Sequence, residues 1–118
     1  DKDENVVEEF KKDEKKVYSE TTAKIVQNAM TQVVKNGTGK KAYMDNVIIG
    51  GKTGSATGSN GKTHGWFTGY FMKDNKKYTM IVFTPDIELI KNANNNDAGG
   101  GDTAAPIFKD IVEKLCDK

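Results

Sequence analysis

The stretch of residues 47–72 constrains the fold more than any other part of the sequence. It reads VIIGGKTGSATGSNGKTHGWFTGYFM: an apolar run enters a glycine-rich segment with Lys52, Thr53 and Gly54, a polar turn spans residues 57–62, and an apolar and aromatic run follows. Runs of β-branched and aromatic residues on either side of a short loop rich in Gly, Ser and Asn are typical of a β-hairpin. Because the first strand carries a lysine, hydroxyls and small residues, it could pair edge-on with an extended ligand.

A helix is predicted ahead of this hairpin, over about residues 20–36. Ser19 is a favourable N-cap, Glu20 suits the positive end of the helix dipole, and Gly37 is a natural residue to follow the last turn. The apolar side chains form two adjacent rows at a spacing of four, which make one stripe: Ile25, Ala29 and Val33, with Val26, Met30 and Val34. We therefore expect this helix to pack against the sheet.

Two more elements are predicted after the hairpin. The second hairpin strand, residues 63–72, is apolar on both faces, so we expect it to be central and covered on both sides. A tight turn at residues 74–75 leads to a third strand over residues 78–84, and residues 92–101 form a loop. A last helix follows, with Asp102 as N-cap, Pro106 in the first turn and a stripe of Ile107, Ile111, Leu115, Phe108 and Val112. The predicted fold is α+β, with a three-stranded antiparallel sheet, an N-terminal helix and a C-terminal helix.

The first 16 residues differ in composition from the rest, since twelve of them are charged. This is typical of a solvated or frayed end, and a short strand over residues 5–10 is the alternative. The predicted folded portion is therefore residues 17–118. The sequence begins at Asp1 and not at a methionine, from which we expect a piece of a longer protein.

Composition narrows the possible functions. The 18 basic and 17 acidic residues leave a net charge of +1. Every basic residue is a lysine, which disfavours nucleic-acid binding because bidentate recognition of phosphate and guanine favours arginine. Cys116 is the single cysteine, expected to be a partly buried, inert thiol, and one histidine is too few for a histidine metal cluster. We expect no metal and no cofactor.

A phosphate-binding P-loop must be considered, because Gly-Lys-Thr occurs twice, at residues 51–53 and 61–63. That motif requires a further glycine five residues before the glycine that precedes lysine. Asn46 and Ala56 occupy those positions, and both triplets adjoin predicted strands, whereas a P-loop opens a helix. The P-loop interpretation therefore fails.

The order of motifs resembles the C-terminal part of the transpeptidase domain of penicillin-binding proteins, most closely the class B enzymes. Gly-Gly-Lys-Thr-Gly-Ser-Ala at residues 50–56 follows a helix and a Gly-Thr-Gly loop. His-Gly-Trp-Phe-Thr-Gly-Tyr-Phe comes on the next strand, and then a third strand, a glycine-rich loop and a helix that opens Thr-Ala-Ala-Pro-Ile-Phe. The resemblance covers roughly residues 17–118. It implies a five-stranded parent sheet of which three strands are present.

The resemblance implies a role for each residue of the Lys-Thr-Gly strand. In this family a serine attacks a D-alanyl-D-alanine amide or a β-lactam, and backbone N–H groups stabilise the oxyanion. The N–H of Ser55 would be one of these donors, and the hydroxyls of Thr53 and Ser55 would bind the substrate carboxylate. Lys52 would supply positive charge, and Gly54 would let the substrate backbone lie close.

The sequence also departs from the family. Ser-x-Asn is absent, and Ser-x-x-Lys occurs once, at residues 59–62 inside the hairpin turn, where we interpret Ser59 as coincidence. His64 is expected to pack as a strand aromatic and not to act as a base. We therefore expect a fragment of a peptidoglycan D,D-transpeptidase that lacks the nucleophile and is inactive alone. The alternatives are a fragment of a β-lactam sensor domain and a non-catalytic module that binds a peptide or a partner protein.

The resemblance also implies a location and partners. The parent would be anchored at the extracytoplasmic face of the bacterial cell membrane and would bind peptidoglycan stem peptides and β-lactams. Because neighbouring strands of the parent sheet would be missing, we expect the isolated chain to form a homodimer or a swapped dimer. The rival is a monomer in which Val6, Val7 and Phe10 fold back as a substitute strand.

Overall fold

The computed structural model describes Glu9 and residues 14–88, 90–92 and 94–116. Within these residues the chain is α+β, as predicted. Its elements are helix α1 (Glu20–Asn36), a short 3-10 helix (Lys40–Ala42), strands β1 (Ile49–Thr57), β2 (Thr63–Lys73) and β3 (Lys76–Thr84), and helix α2 (Ala104–Cys116). The short strand considered for residues 5–10 falls outside the described residues, apart from Glu9.

The three strands form one antiparallel sheet in the order β1-β2-β3, so the second hairpin strand is central, as predicted. The β2–β3 connection is the predicted tight turn, in which Asp74 and Asn75 both adopt positive φ, 50° and 59°. Asn and Asp tolerate this conformation better than other non-glycine residues. The third strand begins at Lys76, two residues earlier than predicted.

Helix α2 covers one face of the sheet and forms the core with it. Phe108 is fully buried, and its ring meets Phe67 edge-on at 4.8 Å between centroids and Phe71 at 6.4 Å. Val112, one helical turn further on, is also fully buried. These contacts fix which face of β2 points inward, because the side chains of a strand alternate between its two faces.

Two consecutive glycines let β1 approach the aromatic residues of β2. A Cβ on Gly50 would lie 2.5 Å from Cε1 of Tyr70, and a Cβ on Gly51 would overlap with the Phe67 ring on the opposite face. The Tyr70 hydroxyl donates to the Gln27 carbonyl oxygen at 3.2 Å. Helix α1 is thereby tied to the face of the sheet that α2 leaves free, next to the segment with Lys52.

The ends of α1 follow the sequence prediction with one difference. The Ser19 hydroxyl accepts from the Thr22 N–H at 3.1 Å, which confirms the N-cap. Gly37 follows the last turn and its N–H donates to the Val33 carbonyl oxygen, but its φ is −107° and not left-handed. Glycine is needed there for space, because a Cβ would lie 2.9 Å from the Val33 backbone.

The predicted apolar stripes are only partly buried, which corrects the sequence analysis. On α1 only Val34 is buried, while Ile25 is 64% exposed. On α2, one row of the stripe is exposed in the same way: Ile107, Ile111 and Leu115. Part of the sheet face that α2 leaves free is exposed as well: Trp66, Ile81 and Phe83. Periodicity identifies an apolar face but does not show how many elements cover it.

Within the described ranges, no helix is long and apolar enough to span a membrane. No group of three or more His, Cys, Asp or Glu side chains in the same part of the chain could hold a metal ion. Cys116 is half-buried against the core, as expected.

Candidate functional site

The outer edge of β1 is the first component of the candidate site. The Met72 N–H donates to the Ile48 carbonyl oxygen at 3.0 Å, and the Gly58 N–H to the Lys62 carbonyl oxygen at 2.8 Å. Hydrogen-bonded pairs alternate with non-bonded pairs along an antiparallel ladder. The even-numbered residues of β1 therefore bond to β2, and the backbone N–H and C=O groups of residues 51, 53, 55 and 57 point away from it. Among the described residues, no strand pairs with this edge.

Two hydroxyls stand beside this edge, and each is held by a different loop. Thr53 Oγ1 lies 2.7 Å from Thr38 Oγ1, in the loop that follows α1. Ser55 Oγ accepts from the Gly100 N–H at 3.2 Å, in the loop that precedes α2. Because Thr53 and Ser55 are two residues apart on a strand, their side chains point to the same face of the sheet.

Lys52 reaches the same edge from the opposite face of the sheet. Its register partner is Thr68, on the face that α2 does not cover. Its Nζ donates to the Thr53 carbonyl oxygen at 2.8 Å, and this oxygen belongs to the outward set. The ammonium is thereby brought to the open edge, where it is exposed to solvent. The structure thus gathers Lys52, Thr53 and Ser55 along one edge.

The last residue of the predicted site is Gly54. It lies on the same face of the sheet as Gly50, but the space that a Cβ would have there is different. A Cβ on Gly54 would meet its nearest neighbour, Trp66 Cβ, at 3.4 Å, which is ordinary van der Waals contact. Its φ is also outside the left-handed region. Among the residues that the structure describes, no contact therefore requires glycine here, since a Cβ on Gly54 would only touch the Trp66 side chain.

A cavity of about 390 Å³ lies beside the two hydroxyls. Thr38, Thr53 and Ser55 line it together with residues 99–101 and the charged side chains of Lys40, Lys41 and Asp102. Its size, its hydroxyls and its cations suit a small anionic group.

An ion pair joins the 3-10 helix on one side of this cavity to the loop before α2 on the other. Lys41 Nζ donates to Asp102 Oδ1 at 2.9 Å, and Asp102 Oδ2 accepts from the Gly99 N–H at 3.3 Å. The Lys41 hydrogen bond, more than any other contact, lowers the pKa of Asp102 below its ordinary value. Asp102 lies two residues before α2. The predicted N-cap is therefore wrong, because the carboxylate bonds to a lysine and a loop N–H.

Ser59 lies elsewhere, in the exposed turn between β1 and β2. Lys62, three residues on, donates to Asp86 at 2.9 Å, and this carboxylate raises the pKa of Lys62. A lysine that acts as a base needs the opposite shift. His64 packs against Phe83 at 5.4 Å between centroids, as predicted, and its Nδ1 accepts from the Asp86 N–H. These contacts give Ser59 no activating partner of the kind that a nucleophile needs.

Another cavity, of about 580 Å³, lies between α1 and the start of β1. Tyr43, Asp45 and Lys77 are among the polar residues that line it. Thr53 and Ser55 line the smaller cavity and not this one.

Comparison with known proteins identifies the family of this chain. Residues 3–113 match the penicillin-binding protein transpeptidase domain, so the chain belongs to this family. The match also includes most of the charged N-terminal segment, which precedes the residues that carry the resemblance, 17–118.

Two curated relatives and one solved structure illustrate the similarity. The chain is 32% identical over 112 residues to a protein of Chlorokybus atmophyticus named as a peptidoglycan D,D-transpeptidase FtsI homolog, covering 87% of the chain and 15% of that protein. It is 32% identical over 105 residues to stage V sporulation protein D of Bacillus subtilis, covering 83% of the chain and 15% of that protein. Among solved structures, the transpeptidase domain of the FtsI4 D,D-transpeptidase from Legionella pneumophila matches with a TM-score of 0.72 and 33% identity, over 82% of this chain and 36% of that one. The chain thus spans about a seventh of the length of these two curated relatives, at 15%.

Proposed function

We propose that the outer edge of β1 is the substrate-binding strand of a peptidoglycan D,D-transpeptidase. The chain forms one wall of the active-site cleft, and the whole protein binds peptidoglycan stem peptides and β-lactams at the extracytoplasmic face of the membrane. The observation that carries this proposal is the placement of Lys52, Thr53 and Ser55, whose charge and hydroxyls lie beside outward-pointing backbone groups.

The chemistry is acyl transfer. A serine hydroxyl loses its proton as its oxygen bonds to the carbonyl carbon of the penultimate D-alanine, and the carbonyl oxygen becomes an oxyanion. The C–N bond to the terminal D-alanine then breaks, and that D-alanine leaves as an amine with the proton. The amino group of a second stem peptide displaces the serine from the acyl-enzyme and returns a proton to it. The outward N–H of Ser55 donates to the oxyanion, and the hydroxyls of Thr53 and Ser55 donate to the terminal carboxylate. Lys52 stabilises the negative charge. A preorganised donor of this kind contributes roughly 10²–10³ in rate.

Edge-on binding suits this strand for a second reason. An extended peptide that adds to a free edge forms backbone hydrogen bonds with alternate residues. Residues 51, 53, 55 and 57 offer those groups in β1. Gly54 adds no side chain to the strand, so that the substrate backbone can lie close to it.

The experiment is acylation of the whole protein that contains this segment by a labelled penicillin. We expect Lys52→Ala and Thr53→Val each to lower the acylation rate by ~10²–10³ while the thermal midpoint stays unchanged. Lys76→Ala, at the far end of the sheet where β3 begins, is the matched control and should acylate at the normal rate. Normal acylation of both Lys52→Ala and Thr53→Val would refute the site assignment. Acylation without any crosslinking of stem peptides would instead indicate a β-lactam sensor.

A further inference from the structure

The hydroxyl of Thr53 has a partner that the Lys-Thr-Gly motif does not include. Thr38 Oγ1 lies 2.7 Å from Thr53 Oγ1, a normal distance for a hydrogen bond between two hydroxyls. Fifteen residues separate them in the sequence, and Thr38 belongs to a different structural segment, the loop between α1 and the 3-10 helix.

The backbone of Thr38 is held on both sides. The N–H groups of Gly37 and Gly39 both donate to the Val33 carbonyl oxygen, at 3.0 and 3.1 Å. Gly101 packs so closely on the other side that a Cβ there would overlap with the Thr38 carbonyl oxygen. The Thr38 hydroxyl is therefore presented from a fixed backbone, which is what a supporting residue requires.

The number of protons on these hydroxyls decides the direction of the hydrogen bond. A hydroxyl has one proton to donate and two lone pairs to accept with. If Thr53 donates its proton to a ligand carboxylate, it can only accept from Thr38, so Thr38 must be the donor. The Gly100 N–H does the same for Ser55, since it donates to Ser55 Oγ and leaves the Ser55 proton free.

We propose that Thr38 is a positioning residue, which donates to Thr53 Oγ1 and thereby directs the Thr53 proton toward the carboxylate of the substrate or β-lactam. This inference rests on the proposed function, because it concerns the same carboxylate. Thr38 contacts no reacting atom, and its effect passes through Thr53 alone.

A double-mutant cycle in the whole protein tests this. The second-order rate of acylation by a labelled penicillin is measured for Thr38→Val, Thr53→Val and the double variant. Thr38→Val keeps the shape and removes the donor, and we expect a loss of about tenfold, the value of one hydrogen bond to a group that binds a charge. Thr38→Ser keeps the donor and should stay within about twofold of the wild-type rate. The double variant should be no slower than Thr53→Val. Once the Thr53 hydroxyl is gone, the Thr38 hydroxyl has nothing to direct, and removing it as well should cost nothing more.

The outcomes separate this inference from the proposed function. Normal acylation of Thr38→Val beside slow acylation of Thr53→Val would overturn the role of Thr38 alone, and so would additive losses in the double variant. If Thr53→Val acylates normally, the carboxylate assignment itself is wrong and the inference falls with it. If Thr38→Val lowers the thermal midpoint, the cycle is repeated with Thr38→Ala in its place and Thr53→Val as before. Additive losses of acylation rate in this second cycle would also overturn the proposal.

Discussion

Replacing Gly54 by alanine should separate substrate binding from folding. Gly50 and Gly54 lie on the same strand, and their Cα atoms belong to the same face, so the same substitution can be compared at both. A Cβ on Gly54 meets Trp66 at 3.4 Å, where ordinary contact begins. A Cβ on Gly50 would lie 2.5 Å from Tyr70 Cε1, well inside that distance.

The expected free energies follow from these distances. Tyr70 is 8% exposed and its hydroxyl is bonded to α1, so the ring cannot move aside freely. Gly50→Ala should therefore destabilise the fold by about 1–3 kcal/mol, the usual cost of overpacking. Gly54→Ala meets no such overlap, and the lower entropy of the unfolded chain should leave its stability unchanged or raise it by up to about 1 kcal/mol.

The effect on acylation should be the opposite of the effect on stability, with Gly54→Ala the harmful substitution. A methyl group on Gly54 would stand on the same face as Lys52, beside the strand to which the substrate backbone is proposed to bind. We expect Gly54→Ala to slow acylation of the whole protein by a labelled penicillin about 10²-fold, the cost of a displacement near 1 Å. Urea unfolding of both variants gives the stabilities. Equal destabilisation by the two substitutions, or normal acylation of Gly54→Ala, would refute the reasoning.

Three further predictions concern the ion pair, the isolated chain and its surface. Because the pKa of Asp102 is lowered in the folded protein, its stabilising contribution is full above the ordinary carboxyl value of 3.8 and is lost as pH falls through the lower folded value. Urea midpoints from about pH 6 to about pH 2 should show Asp102→Asn less stable at the upper end and equal to wild type at the lower; a constant difference would contradict this. The 118-residue chain alone should form no covalent adduct with penicillin, and a mass increase by one drug molecule that Ser59→Ala abolishes would identify Ser59 as a nucleophile after all. The exposed Ile81 and Phe83 should cause the isolated chain to dimerise, as light scattering can measure, and Ile81→Lys should weaken the dimer, whereas a monomer of 13.0 kDa at every concentration would exclude it.

The elements themselves were predictable because their signals are local. The Ser19 cap, the alternation of the hairpin strands and the two-residue turn at Asp74 and Asn75 each depend on residues within one turn or one strand. The motif residues could be chosen for the same reason, since Lys52, Thr53 and Ser55 are neighbours in the sequence. Burial could not be predicted in this way. Ile25 and Ile111 repeat with the period of a buried stripe and are exposed all the same, because burial depends on neighbours that periodicity does not reveal.

The support behind the site could not be predicted because it depends on contacts between distant residues. Thr38 meets Thr53 across 15 residues, and Gly100 meets Ser55 across 45. Gly37-Thr38-Gly39 and residues 99–101 read only as glycine-rich loops, since nothing in either segment shows that they converge on one strand. The glycines are the one signal that could have indicated it. Gly100 and Gly101 lie where a Cβ would overlap with the backbone of Trp66 and Thr38, so these loops are rich in glycine because other chain segments pass close to them. A glycine-rich segment that follows or precedes a helix can therefore indicate close packing as well as a flexible connection. In this chain the packed loops orient the Thr53 and Ser55 hydroxyls, on which the proposed carboxylate recognition depends.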